Sequence, residues 1–101
     1  MAFGITRAEL NEWKAAVSRG ETSFLTHYWF DPRFPDIRTV TKVGNANLAR
    51  LTEWCVGHGI NPKYIHDRPP FPHFDLMGAL QREVLMKENL AEHLDRFRLQ
   101  Q

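Results

Sequence analysis

The sequence predicts an α+β fold, a small antiparallel or mixed sheet with about three helices packed on it. Three observations carry this. Apolar residues recur at helical spacing in segments opened by capping residues and closed by Gly or Asn. Two runs rich in aromatic and β-branched residues, 22–30 and 37–43, flank a short turn-rich connector. The hairpin-type and helix-type segments are segregated, as in layered α+β folds. A chain of 101 residues reads as one domain, 1–101, in which a capped helix over 7–19 precedes the sheet and helices of 22–99. Its length lets it bury a core without a disulfide or metal staple.

Thr6-Arg7-Ala8-Glu9 is a capping box, with Ile5 and Leu10 at the two positions of a hydrophobic staple. Leu10, Trp13 and Val17 then form one apolar stripe, and Gly20 can end the helix in a left-handed turn. In Thr22–Phe30 both alternation phases carry aromatics, which predicts a strand covered on both faces. Asp31-Pro32-Arg33-Phe34-Pro35-Asp36 is a turn, and Ile37–Val43 is its antiparallel partner. Asn45 or Asn47 caps a helix running to about Gly57, with Leu48, Leu51 and Cys55 as its stripe. Lys63–His66 reads as a short strand.

Asp75 reads as the N-cap of a last major helix, with Leu76, Met77, Leu80, Val84 and Leu85 on its buried side. Asn89 breaks that helix. Leu90–Leu99 fits either a helix or a strand, and a helical start is preferred.

Thirteen Lys and Arg against 12 Asp and Glu leave a formal charge of +1. No cationic surplus therefore draws the chain to nucleic acid or to a membrane surface. No apolar run approaches the roughly 18 residues of a membrane span, and the N-terminus has no apolar secretory core. The single Cys55 precludes an intrachain disulfide and suits a reducing compartment, so a cytoplasmic location is expected.

The chemistry concentrates in Tyr64–Leu76, which holds His66, Asp67, Arg68, His73 and Asp75 among Pro69, Pro70 and Pro72. Proline limits its own φ and its predecessor's backbone, so this connector is stiff and extended or turned. His66, His73 and Asp75, together with Asp67, His27 and Asp31, are ligand types for zinc, manganese or iron, and a facial triad of two histidines and a carboxylate can be drawn from His66, His73 and Asp75. No HExxH or CxxC pattern accompanies them. His73 oriented by Asp75 or Asp31 could alternatively act as a general base. Cys55, on an apolar stripe, reads as a small core residue and not a nucleophile. An anion could dock on the amides of Leu76, Met77 and Gly78 at the start of the last helix, with Arg33 and Arg68 as forked donors. Pro69–Pro72 together with Phe34-Pro35 could form an apolar ridge for a homodimer or protein partner.

Tyr28-Trp29-Phe30-Asp31-Pro32-Arg33-Phe34-Pro35, the helix through Trp54 to Gly59, and His73-Phe74-Asp75-Leu76 resemble a family of small uncharacterised bacterial proteins. Its pattern is a strand ending in Asp, a basic and aromatic loop, and a His-aromatic-Asp motif opening a helix. The resemblance covers about two-thirds of the chain, from His27 to about Glu92, and supplies no activity. It implies that Asp31, Arg33, His73 and Asp75 lie near one another. This sequence departs from the pattern in its N-terminal capped helix, in Thr41-Lys42 where a histidine-containing strand is usual, and in having no clear strand after the last helix.

Two readings stay open. The first is a small cytoplasmic binding module, homodimeric in one version, that takes an anionic small ligand or protein partner at Asp31, Arg33, Arg68, His73 and Asp75. The second is a metal-dependent hydrolase holding a divalent metal on His66, His73 and Asp75. No residue is assigned a catalytic role.

Overall fold

Three antiparallel strands in the order β1-β2-β3 carry the molecule in the computed structural model, which describes residues 4–99. Strand β1 is Ser23–Tyr28, β2 is Thr39–Gly44 and β3 is His73–Leu76. Helix α1 is Arg7–Ser18, α2 is Leu48–Gly57, α3 is Gly78–Lys87 and α4 is Ala91–Arg96. The α+β class expected from segregated hairpin and helical runs is what is found.

Local chemistry starts and stops the helices as the sequence indicates. In α1 the Thr6 hydroxyl accepts from the Glu9 amide at 3.1 Å, and a Glu9 carboxylate oxygen accepts from the Thr6 amide at 2.8 Å. Gly20 follows with φ +84°. Asn47, not Asn45, caps α2 by accepting from the Arg50 amide. Asn45 is instead buried and donates to the Gly20 carbonyl and the Thr22 hydroxyl, tying two loops together. Asn89 ends α3 in the left-handed region, and Leu90 onward starts helically as α4.

Register assigns the sheet faces. Phe24, Val43 and Phe74 are cross-strand neighbours, as are Thr26, Thr41 and Leu76. Alternation puts both sets on one face, where α2 and α3 cover them with Leu51, Cys55 and Val84. The opposite face carries Leu25, Lys42 and Asp75, again cross-strand neighbours. There α1 packs Trp13 and Val17 against Leu25, with Phe71 alongside. The expectation that β1 is covered on both faces holds for this reason. Among the described residues no helix is long and apolar enough to cross a membrane.

Three expectations need correcting. Asp75 is not a helix cap. It lies inside β3, and the residue before α3 is Met77, which offers no side-chain cap. Leu76 likewise belongs to the strand, because His73-Phe74-Asp75-Leu76 alternates half-buried with fully buried positions and pairs along β2. Burying Phe74 and Leu76 in the ladder outweighs the modest gain from an Asp cap. Second, Pro62–Tyr64 is a 3-10 turn capped by Asn61, and of the expected 63–66 strand only His66 pairs, by a single bridge to His73. Third, Pro69–Pro72 and Phe34-Pro35 form no common ridge. Pro72 is buried and Phe71 half-buried against Trp13, so this end of the loop covers the molecule's own core. Pro69 and Pro70 are exposed, and Phe34-Pro35 lies beyond β1 at the other end of the sheet.

Candidate functional site

The two imidazoles of the Pro-rich connector meet because their backbones pair. His66 donates to the His73 carbonyl at 2.7 Å and His73 donates to the His66 carbonyl at 3.1 Å. Residues that exchange both hydrogen bonds in an antiparallel pair project their side chains to the same side. The rings accordingly stack with centroids 5.1 Å apart and planes 22° from parallel. The six residues from Asp67 to Pro72, including the three prolines, form the loop that this pair closes. Asp75 stands two residues along β3 from His73, hence on the same face.

The three side chains converge. One ligand atom from each of His66, His73 and Asp75 lies within 4.8 Å of the others. His66 Nε2 is 3.4 Å from Asp75 Oδ2, and His73 Nε2 is 3.8 Å from Asp75 Oδ1. Donors bound to one tetrahedral ion at roughly 2.0–2.2 Å stand about 3.4 Å apart. The two imidazole–carboxylate spacings approach that value, each to a different Asp75 oxygen. One donor from each residue spreads to as much as 4.8 Å, so a bound ion would draw the three side chains together. Asp75 Oδ1 is buried and has no hydrogen-bond partner, an uncompensated cost that a bound cation would relieve. His73 Nδ1 lies 3.0 Å from the Phe71 carbonyl. A carbonyl only accepts, so Nδ1 carries a proton, and Nε2 is the ring nitrogen facing Asp75. This is how a ligating histidine is commonly oriented. The His66 side chain is half exposed while those of His73 and Asp75 are largely covered, so the cluster opens to solvent on one side. Lys42, opposite Asp75 in register, makes no ion pair with it.

Asp31 and Arg33 do not join this cluster. His73 is level with Gly44 and Ser23, whereas Asp31 lies beyond Tyr28 at the other end of β1. Five strand residues separate those levels by about 17 Å. The pair satisfies itself: Asp31 Oδ1 accepts from the Arg33 amide at 2.9 Å and from its Nε at 3.0 Å. Hydrogen bonds from the Arg33 guanidinium and amide hold the Asp31 carboxyl down at about 2. Arg68 is exposed on the loop, and its recorded hydrogen bonds are those of its backbone. Of the five residues named for anion binding, His73 and Asp75 come together, and Asp31 and Arg33 do not join them.

His27, also a candidate ligand, is buried in β1 on the sheet face of Lys42 and Asp75. Its Nδ1 donates to the Tyr28 carbonyl at 2.8 Å, which leaves Nε2 as a buried, unpartnered lone pair. Burial lowers its pKa and keeps it neutral. It lies outside the three-residue cluster. Cys55 is fully buried, and burial raises its thiol pKa, which fits a core residue.

Sequence reasoning missed a buried polar network on the opposite face. Gln81 donates to Thr41 Oγ1 and accepts from Thr39 Oγ1, while Thr26 Oγ1 bonds both Thr41 Oγ1 and His93 Nδ1. The available signal was Gln81 lying three and four residues before Val84 and Leu85, inside the apolar stripe of α3.

No protein-family model matches the chain, and no solved structure matches it. The chain is 54% identical over 99 residues to the uncharacterized protein YneQ of Bacillus subtilis (strain 168), an alignment covering 98% of this chain and all of that protein. Helix α1, Arg7–Ser18, falls in this shared length. Similarity at that level over the whole length shows common descent, and the chain belongs to the YneQ family.

Proposed function

We propose that this protein binds a divalent transition metal through His66, His73 and Asp75, and that the bound ion activates water for hydrolysis. The observation that carries the reading is the convergence of two imidazoles and a carboxylate whose buried Oδ1 has no hydrogen-bond partner. Three protein ligands with a solvent-facing side leave coordination positions for water and substrate, as in catalytic and not in closed structural sites. The donor set suits Zn²⁺, Fe²⁺ or Mn²⁺ better than Ca²⁺ or Mg²⁺, which prefer all-oxygen shells. This reading displaces the anion module because Asp75 places negative charge in the cluster, and because Asp31 and Arg33 are spent on one another.

The test is a calorimetric titration of tag-free, chelator-treated protein with Zn²⁺ and with Mn²⁺. One ion per chain is expected for at least one of them, weakened about 100-fold by His73→Ala and by Asp75→Asn. Absence of stoichiometric binding, or equal weakening by His58→Ala at a distant histidine, overturns the metal site. If metal binds but the loaded protein hydrolyses neither p-nitrophenyl acetate nor p-nitrophenyl phosphate faster than the stripped protein, the hydrolytic half is withdrawn.

The proposal places the protein in the cytoplasm, supported by its single, buried thiol, and fractionation checks this. It also includes self-association, supported by the exposure of Phe30 and Phe34 in the β1–β2 connector. Sedimentation of Phe30→Ser against the parent is the check.

A further inference from the structure

We infer that a second site, separate from the metal cluster, binds a phosphorylated small molecule in the cleft between the β1–β2 connector, the start of α3 and the end of α4. The cleft has a volume of about 570 Å³ and is lined by Arg38, Arg82 and Arg98, by Gly78, and by the rings of Tyr28 and Phe97. Three chain segments distant in sequence each bring one arginine, and among the described residues the only carboxylate in the lining is that of Asp36.

Arg19, Arg33 and Arg96 each pair with a carboxylate. Like Arg7, Arg50 and Arg68, the arginines at 38, 82 and 98 are in no ion pair among the described residues, and what sets them apart is that they line one cleft. Three like charges gathered in one concavity repel one another, and an anion lying between them would reverse the sign of that interaction. A guanidinium is also the side chain best matched to phosphate oxygens, through its planar fork of donors.

The backbone adds to the same field. Met77 gives α3 no side-chain cap, so the first amides of this ten-residue helix have no side-chain acceptor at the end where Gly78 lines the cleft. A helix start with free amides favours an anion. Arg98 adopts φ 56°, a left-handed conformation that bulky residues rarely take, directly after the C-cap of α4. On the apolar side, Tyr28 and Phe97 form an edge-on pair with centroids 4.9 Å apart. Three cationic groups against one carboxylate select a ligand of more than one negative charge. The volume admits one of nucleotide size, so the class inferred is a small molecule carrying a pyrophosphate or two phosphoryl groups.

The experiment titrates pyrophosphate into chelator-treated His73→Ala protein, so that binding through a metal at the other cluster cannot contribute. Saturable binding with Kd below about 1 mM is expected, with at least a tenfold loss in each of Arg82→Gln and Arg98→Gln and none in Arg50→Gln. The exposed arginines allow folded variants, and a pyrophosphate-induced rise in melting temperature, lost in the same two variants, gives a second readout. Absence of saturable binding overturns the inference, as does equal loss in Arg50→Gln. Tighter binding of a single-stranded oligonucleotide than of pyrophosphate, through the same arginines, overturns the small-molecule assignment in favour of nucleic acid.

Discussion

Asp75 is a side chain costly to the fold, a cost that the proposed metal would offset. Its Oδ1 is buried without a partner, and its nearest basic neighbours stand beyond good hydrogen-bonding geometry. A half-satisfied carboxylate of this kind contributes little to stability in the metal-free protein. Asp75→Asn, which removes that uncompensated charge, should therefore leave the metal-free protein at least as stable as the parent in urea unfolding. The proposed metal site predicts that saturating Zn²⁺ or Mn²⁺ raises the stability of the parent and leaves that of this variant unchanged. Loss of about 1 kcal/mol or more without metal would instead mean that Asp75 serves the fold. The local pattern misled here: Asp before an apolar run is a sound cap signal, yet the alternation of His73-Phe74-Asp75-Leu76 with period two competes with it. Pairing with β2 decides between them.

Helix α1 approaches the sheet backbone closely as well as packing Trp13 and Val17 on it. It meets the sheet at Gly44, where an added Cβ would come 2.6 Å from Trp13 Cζ2 and 2.9 Å from Val17 Cγ2. Gly44→Ala must push α1 from the face carrying Leu25, at a cost of about 1–3 kcal/mol. Urea unfolding followed by tryptophan fluorescence measures it, and an unchanged midpoint would show that α1 shifts freely. The helix is secured at its other end by the ion pair of Glu9 with Arg96 of α4. The extents of α1 and α2 were legible because caps, stripes and stops act within a few residues. The 3-10 turn at Pro62–Tyr64 was not, since Tyr64, Ile65 and His66 favour strands wherever a partner edge exists, and here only His66 has one.

At the scale of the whole molecule, burial and charge pairing make acid a two-stage stress. His93, bonded to Thr26 between sheet and α4, has its pKa lowered by burial from an ordinary 6.5; Glu92 and Glu9 oppose that effect and Arg96 adds to it. The unfolded chain then takes up a proton that the folded chain refuses, so stability present above pH 6.5 declines as pH falls below it. The Glu9 carboxyl is held down at about 2, against an ordinary 4.5, chiefly by its hydrogen bond from Arg96. Its contribution is intact above pH 4.5 and fades between 4.5 and about 2. Urea midpoints across pH should show the first decline reduced in His93→Gln and the second reduced in Glu9→Gln. A parent whose midpoint is flat from pH 7 to 5 would contradict the burial of a neutral His93.

Local signals in the chain were enough to set the class of fold, the hairpin of two aromatic-rich strands, the capped helices and the residue types able to hold a metal. These depend on contacts within a few positions. Only tertiary pairing made Asp75 a strand residue, brought the imidazoles of His66 and His73 face to face, and set Asp31 and Arg33 at the far end of the sheet. Only the packing of α3 and α4 beside the hairpin gathered Arg38, Arg82 and Arg98. The physical reason is that ladder register and helix docking are settled by apolar burial summed over distant segments, and no short stretch of sequence contains that sum.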